Sequence, residues 1–525
     1  MDSRFKNDIV TTFKLNGLTV RSEATKYILG LLTPLHQDER SQWLEKLVDV
    51  IQKQGLLDST TVEKSHIEKA AKECCQNELD EATSLLNVIS AFDIPKFVYN
   101  TERKKYLPYE SSAGFLNLFG DPKDKAEMFR HRYALLHQRT SRHSLFTPSV
   151  LGSSSASSQN KYQLQPIEYL LGMSTKLTNL VVLGMLTYLT EGKLHLEDTT
   201  GSVPVSLKDT NFHGGLFTEN CFVLGQGYYQ DGVFHIEHLG MPPPEPAKVT
   251  RTYFGNANFF GGPSTSCLKL SSKLKAQEDQ NPEAMMVFLS DVWLDQTKVM
   301  EKLRILFAGY CEDPPICFVL MGNFLSSSTC STSSGHLRQL FKSLAEMIKE
   351  FPNLVEQAQF VFVPGPSDSG FCNILPRPPL AKVIREEFLQ RVPNAVFTTN
   401  PCRIQYGTKE IVVLREDIIT KMCRNAIHFP TTDDIPQQFA KSLTSQGHLC
   451  PLPSEICPIY WPYDHALYLY PLPDAVVIGD RFGGFAAQNM DCVIFNPGPF
   501  SRNNFNFKVF VPLSSQVEDS EIGDS

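Results

Sequence analysis

The sequence contains no apolar segment long enough to cross a membrane. A spanning helix needs about 18 or more consecutive apolar residues, and no such run is present. The opening residues MDSRFKNDIVTTFKLNG carry charges where a secretory signal would have its apolar core. We therefore expect a protein that neither spans a membrane nor is exported.

Paired cysteine motifs are also missing. The 13 cysteines are scattered, and none forms a CxxC set with the spacing of a zinc site. Scattered cysteines are typical of reduced thiols in the cytosol or nucleus. We expect no metal and no other cofactor.

The chain has no excess of positive charge. Its formal net charge is −8, whereas a protein that coats nucleic acid needs a basic surface. A local basic patch is still compatible with this balance. Hydrophobic content of 42% with 20% charged residues indicates a globular protein.

The patterning along the 525 residues predicts a multidomain α+β protein. We divide the chain into an N-terminal helical domain (1–95), a connector (96–165), a barrel domain of the OB type with its exit linker (166–280), an α/β sandwich (284–513) and an acidic, disordered tail (514–525). The connector contains a basic helix and the serine-rich stretch GSSSASSQN.

Apolar residues at three-and-four spacing predict the N-terminal helices. One such set follows Ser41, a candidate N-cap: Trp43, Leu44, Leu47, Val48 and Ile51. A later set predicts one more helix, which Pro95 ends: Leu85, Leu86, Ile89 and Phe92.

Period-two patterning replaces helical patterning after residue 166. The stretch CFVLGQGYYQDGVFHIEHLG predicts a hairpin with Asp231 and Gly232 at its turn. From residue 284 onward, apolar strands such as MMVFLSD, PICFVLMGN and DAVVIGD alternate with helices. In such folds the chemistry lies at the carboxyl ends of the strands.

The first of these strand ends raises the question of a two-metal hydrolase. A strand that delivers Asp and then His opens the metal site of calcineurin-like phosphoesterases, and such a site needs several convergent carboxylates and imidazoles. Here Asp291 is present, but Trp293 stands at the His position and has no lone pair for a metal. At the second strand end, the neutral Asn323 replaces the bridging carboxylate.

The remaining strand ends also lack the expected metal ligands. Pro366 and Ser367 stand where a Gly-Asn-His segment would supply a ligand and an acid. Asp480 and Phe482 occupy the last strand end, where two histidines would close the site. Too few ligands are left for a binuclear cluster, so we predict an inactivated phosphoesterase domain without catalytic or metal-binding residues.

Two alternatives are left open by the residues. A divergent metal-dependent phosphoesterase or nuclease would have to bring together five side chains: Asp291, Asp295, Asp368, His448 and Asp480. A direct DNA-binding module would stack bases on the hairpin aromatics Tyr228, Tyr229 and Phe234.

The basic helix is the better candidate for phosphate contact. The stretch DKAEMFRHRYALLHQRTSRHSLF carries four arginines: Arg130, Arg132, Arg139 and Arg142. A basic helix is, however, usually a solvated face or pairs with acidic neighbours.

Several stretches of the chain resemble a known family. They include AFDIPKFVYNTERKKYLP, FFGGPS, FLSDVWLDQ and FVPGPSDSGFCNILPRPPL. With the order of domains, these are similar to the B-subunit family of eukaryotic replicative DNA polymerases, and within it to the members that serve DNA polymerase epsilon. The likeness covers nearly the whole chain and implies a non-catalytic accessory subunit of chromosomal DNA replication, located in the nucleus.

The resemblance also implies partners. The barrel and the inactive phosphoesterase domain would hold the C-terminal zinc-binding domain of the catalytic subunit of DNA polymerase epsilon. The helical domain, similar to the lid of an AAA+ ATPase, would dock to the GINS component of the replicative helicase. Two small histone-fold subunits would belong to the same complex, and contact with DNA would come mainly through that complex.

Overall fold

The computed structural model describes most of the chain. The described residues are 2–32, 40, 43–44, 47–48, 50–51, 61–79, 85–109, 116–147, 162–190, 192–327, 333–370, 373–431 and 434–523. The predicted N-cap Ser41 and the serine-rich stretch lie outside them. Within the described residues, no helix is long and apolar enough to cross a membrane.

The chain separates into two compact units. One comprises Met1–Ser84 with Pro263–Cys267, and the other comprises the remainder. The first unit contains helices α1 (Asp2–Leu15), α2 (Ser22–Leu32) and α3 (Lys64–Leu79), and a short parallel pair of strands, β1 (Thr19–Val20) and β2 (Thr61–Val62). Its core contains the apolar residues that predicted helix between 43 and 51: Leu44, Leu47, Val48 and Ile51 are buried.

The predicted helix over residues 85–92 is wrong. Strand β3 (Leu86–Ser90) takes its place and belongs to the second unit, so the predicted domain end at 95 lies too late. Leu86 and Val88 pack against the sandwich core, while Ile89 is buried on the opposite face. Because both faces of this strand are covered, its apolar residues do not alternate, and the pattern imitates a helix.

A hairpin, β4 (Phe97–Asn100) and β5 (Lys105–Pro108), and helix α4 (Pro122–Ser141) follow. Asp121 and Asp124 form a capping box at the start of α4, and proline stands in its first turn. The basic stretch is thus helical, as predicted.

A closed barrel follows in the chain. After the short helix α5 (Ile167–Leu171) come the strands β6 (Leu177–Thr190), β7 (Lys193–Glu197), β8 (Ser202–Ser206), β9 (Asn211–Phe212), β10 (Phe217–Thr218), β11 (Phe222–Gln230) and β12 (Val233–Gly240). Strands β6, β7, β8, β12 and β11 pair in a ring, and β9 adds to β12. The predicted hairpin is confirmed: Asp231 and Gly232 turn with φ of 52° and 78°.

Two six-stranded sheets form the sandwich. The first has the order β16 (Val396–Phe397), β15 (Gln359–Val363), β14 (Cys317–Met321), β13 (Met286–Leu289), β23 (Asn506–Val511), β24 (Gln516–Glu521). The second has the order β21 (Phe485–Asn489), β22 (Cys492–Asn496), β20 (Ala475–Gly479), β18 (Lys409–Arg415), β17 (Cys402–Tyr406), β3. One buried cluster drawn from both sheets lies between them, so they pack face to face.

Helices connect the strands of this region. They are α6 (Ala247–Arg251), α7 (Ser272–Asp279), α8 (Thr297–Gly309), α9 (Ser333–Lys349), α10 (Pro352–Gln357), α11 (Lys382–Leu389), α12 (Ile418–Arg424) and α13 (Ile435–Gln446). Strand β19 (Ala426–His428) pairs with β10 in a separate two-stranded sheet. The predicted alternation of strands and helices after residue 284 is confirmed.

The acidic C-terminal segment is ordered, contrary to our expectation. Strand β24 pairs along its whole length with β23, and Lys508 forms an ion pair with Asp519. Backbone hydrogen bonds hold this edge strand while most of its side chains remain exposed. Charge and low hydropathy therefore do not predict disorder where a neighbouring strand offers an unpaired edge.

Candidate functional site

Three parallel strands of the first sheet deliver the predicted positions to one edge. Strands β13, β14 and β15 are neighbours in register, and their carboxyl ends lead to Asp291, Asn323 and the loop with Pro366 and Ser367. Because these ends meet, the side chains can interact. The structure therefore brings together the predicted positions on the first three strand ends.

Asp291 lies at the centre of this edge. It is buried and adopts a φ of 53°. Its Oδ1 accepts hydrogen bonds from the backbone N–H of Asn323 at 3.0 Å and from the Asn323 side-chain amide at 3.1 Å. A third donor, Arg415 Nη2, lies 2.7 Å from the same oxygen.

Arg415 is the functional residue that our sequence reasoning missed. Its side chain is fully buried, 0% exposed, at the end of strand β18. The guanidinium donates to the backbone oxygens of Gly322 and Gly479 and to the carboxylates of Asp291 and Asp417. Burial alone would lower the arginine pKa, but these two carboxylates outweigh it and raise the pKa above its ordinary value.

The guanidinium therefore supplies a buried cation at the strand ends. It compensates the charges of Asp291 and Asp417 and occupies lone pairs that a metal would need. An arginine is always protonated, so this cation is permanent. The signal in the sequence was the charged triplet Arg415-Glu416-Asp417, which directly follows the apolar run IVVL.

Asn323 links the first strand end to the third. Its Oδ1 accepts a hydrogen bond from Ser367 N at 2.8 Å. Asp368 accepts from the backbone N–H groups of Phe324 and Gly365, each at 2.7 Å. Burial raises the pKa of Asp368 to about 6 despite these bonds.

Glycine is required at the second strand end because another segment of the backbone, around Gly365, approaches it closely. A Cβ at Gly322 would lie 1.9 Å from Asp368 Oδ2 and 2.5 Å from Gly365 N. Such contacts with a backbone atom and a buried carboxylate leave no room for a side chain.

Asp480 has a structural role at the last strand end. Its carboxylate accepts from Ile419 N and Thr420 Oγ1, at 2.8 and 2.9 Å, and so caps helix α12. It also accepts from Phe482 N at 2.9 Å. Burial raises the pKa of Asp480 to about 6. Arg481 is exposed and pairs with Asp417.

Trp293 belongs to the hydrophobic core of the first sheet. It is 9% exposed and packs with the apolar cluster of strands β13 to β15. The guanidinium of Arg502 lies 4.6 Å from its ring centroid. Trp293 is thus a packing residue of this core.

The five side chains of the hydrolase alternative do not assemble. Asp295 accepts hydrogen bonds from Ser326, and His448 Nε2 lies 3.1 Å from Asp464. Throughout the described part of the chain, no group of three or more His, Cys, Asp or Glu side chains is placed to hold a metal ion.

Three of the four arginines predicted for phosphate contact are bonded within the chain. Arg132 is buried and binds Asp464 with two nitrogens, Nε at 3.0 Å from Oδ2. Arg139 is buried against the backbone oxygens of Thr444 and Ser445. Burial lowers the pKa of Arg139 to about 10.

Arg142 is the third of these. It forms a bidentate pair with Glu245, with Nε–Oε1 at 2.9 Å and Nη2–Oε2 at 2.6 Å. Of the four, Arg130 alone is exposed. The expectation of phosphate contact is therefore wrong for Arg132, Arg139 and Arg142, because each guanidinium is engaged by acceptors within the chain.

Most of the aromatic side chains of the hairpin pack inside the barrel. Tyr229 and Phe234 are buried in its interior. Tyr228 is half-buried, stacks on His235 at 4.7 Å, and has the ammonium of Lys176 4.5 Å from its ring centroid. Two of the three are therefore unavailable for base stacking.

Three family models match: DNA polymerases epsilon N terminal over residues 1–74, the OB-fold domain of DNA polymerase epsilon subunit 2-like proteins over 122–243, and the B-subunit family of DNA polymerases alpha and epsilon over 286–487. An archaeal phosphodiesterase of known structure covers 45% of this chain and 99% of its own, with 11% identity and a TM-score of 0.25.

Two full-length relatives establish the family. DNA polymerase epsilon subunit 2 of Homo sapiens is 52% identical over 521 residues, covering 99% of both chains. The protein of the same name from Drosophila melanogaster is 42% identical, covering 98% of this chain and 97% of its own. The chain therefore belongs to the DNA polymerase epsilon subunit 2 family, the accessory subunits of the polymerase epsilon complex in DNA replication.

Proposed function

We propose that the sandwich is an inactivated calcineurin-like phosphoesterase fold that serves as a non-catalytic scaffold. The observation that carries this proposal is the buried guanidinium of Arg415 bonded to Asp291. A hydrolase would need a metal bound to that carboxylate and a water on the metal. The internal cation stabilises the strand ends instead and leaves a rigid framework for partners.

A hydrolysis assay tests this part of the proposal. The purified chain is incubated with Mn²⁺, exchanged into metal-free buffer, and assayed for bound metal and for cleavage of bis(p-nitrophenyl) phosphate. We expect no more cleavage from the wild-type chain than from Asp291→Ala, because Arg415 occupies the carboxylate. Stoichiometric metal together with turnover that Asp291→Ala abolishes would identify a working nuclease.

The catalytic subunit of polymerase epsilon is the partner implied by family membership. We infer that the barrel and the sandwich hold its C-terminal zinc-binding domain, and that the two histone-fold subunits join the same assembly. The N-terminal unit, an AAA+ lid-like helical domain, would dock to the GINS component of the replicative helicase. Such an assembly works in the nucleus and contacts DNA mainly through its other subunits.

Truncation separates the two docking roles. A chain beginning at Leu85 lacks residues 1–84 of the first unit but keeps strand β3, which the second sheet requires. We expect it to bind the zinc-binding domain as the full chain does and to lose binding to GINS. Both are measured by pull-down with purified partners. If the truncated chain folds, as judged by circular dichroism, yet fails to bind the zinc-binding domain, the proposed division is incorrect.

A further inference from the structure

A groove of about 740 Å³ lies between helix α4 and the barrel, and none of the roles described above uses it. Four partly or fully buried side chains give it an apolar floor: Phe129, Tyr133, Met185 and Phe222. Its volume is within the range of about 300–1,000 Å³ that is typical of ligand pockets.

Charges of opposite sign line the two sides of this groove. Helix α4 contributes the cations Lys125 and Arg130. The barrel contributes three carboxylates, Glu197, Asp198 and Glu219, and no lysine or arginine. With Glu455 from a sandwich loop, the described lining contains four carboxylates and two cations.

Two of these carboxylates are available to a ligand. The other two are engaged: Asp198 accepts backbone hydrogen bonds from Ile167, Thr200 and Gly201, and Glu219 accepts one from Tyr188 N at 3.3 Å. Glu197 and Glu455 form no ion pair with any described residue. Burial, and then the neighbouring Asp198, raise the pKa of Glu197, so an incoming cation would relieve an unfavourable charge.

We propose that this groove binds a peptide segment of a partner protein, with an apolar anchor side chain flanked by lysine or arginine. The anchor would pack on Phe129 and Tyr133, and the basic side chain would pair with Glu197 or Glu455. Anchors in apolar pockets with charged rims are the usual arrangement of protein interfaces. A nucleic acid is disfavoured because four carboxylates would repel its phosphates.

Fluorescence anisotropy with the full chain tests the proposal. The probes are labelled peptides Lys-Lys-Leu-Trp-Leu-Lys-Lys, a version with serine at the three apolar positions, a version with glutamate for lysine, and a labelled oligothymidylate. We expect only the first peptide to bind. The double substitution Glu197→Gln and Glu455→Gln should weaken it about three- to tenfold, as two partly exposed ion pairs predict.

The matched control is Glu283→Gln with Glu312→Gln, two exposed glutamates outside the groove, which should leave the affinity unchanged. The proposal would be overturned if both double variants lost affinity for the peptide equally, or if the variant of Glu197 and Glu455 lost none. Tight binding of oligothymidylate that Arg130→Gln abolishes would also overturn it and identify a nucleic-acid site. Melting curves of each variant confirm that the fold is retained.

Discussion

Replacing Arg415 by methionine should lower the free energy of unfolding by about 3–5 kcal/mol, the usual cost of removing one member of a buried ion pair. Methionine keeps much of the aliphatic volume, but it leaves Asp291 and Asp417 without their shared cation. The backbone oxygens of Gly322 and Gly479 lose their donor as well. Urea unfolding at neutral pH, followed by circular dichroism, measures the loss.

Arg481→Met is the matched control for this experiment. Arg481 also pairs with Asp417, but its side chain is 55% exposed, so the substitution should cost less than about 1 kcal/mol. Adding Asp291→Asn to Arg415→Met should recover part of the lost stability, since it removes the uncompensated charge. Equal stability of Arg415→Met and the wild-type chain would mean that the guanidinium does not hold the strand ends.

Replacing Asp464 by asparagine should cost a similar amount, about 3–5 kcal/mol, because Arg132 would remain buried without its counter-ion. Asp464 also bonds His448, so one carboxylate joins helix α4 to two segments of the sandwich region. Urea unfolding at pH 7 is again the measurement. Asp313→Asn, at an exposed position, is the control and should change stability little.

The effect of Asp464→Asn should depend on pH. Burial would raise the pKa of Asp464, but Arg132 and His448 outweigh it and hold the pKa well below its usual range. A carboxyl group with a depressed folded-state pKa stabilises the protein above its unfolded pKa of about 3.9, and this contribution is lost as the pH falls below that value. The difference in free energy of unfolding between the wild type and the variant should therefore be largest at pH 7 and become smaller below pH 4. A gap that is constant with pH would indicate a packing defect rather than the loss of a charge.

Some predictions succeeded because they rest on local physical chemistry. The turn at Asp231 and Gly232 needs positive φ at both positions, which these two residues tolerate, so the hairpin can be read without its partners. The strands and helices after residue 284 repeat apolar residues with the periods of buried strands and amphipathic helices.

Other predictions failed where distant partners decide the outcome. Residues 86–90 became a strand because β17 offered them distant backbone partners, as in the pairing of Leu86 with Tyr406, which lie 320 positions apart in the chain. The acidic segment 516–521 was ordered by pairing with β23. Hydrogen bonding between backbones depends little on residue type, so the residues of these two segments did not predict that they form strands.

By itself, the sequence determined which ligand types are absent from the strand ends. Trp293 and Phe482 have no lone pair for a metal whatever the fold, and Asn323 and Ser367 offer only neutral oxygens, since these properties belong to the side chain alone. Only the tertiary structure decided what stands in their place. Arg415 reaches Asp291, 124 residues away, because neighbouring sheets bring their strand ends together. The same physical reason governs the basic helix: whether an arginine meets solvent or a buried carboxylate depends on what packs against it, and one chain segment does not contain that information.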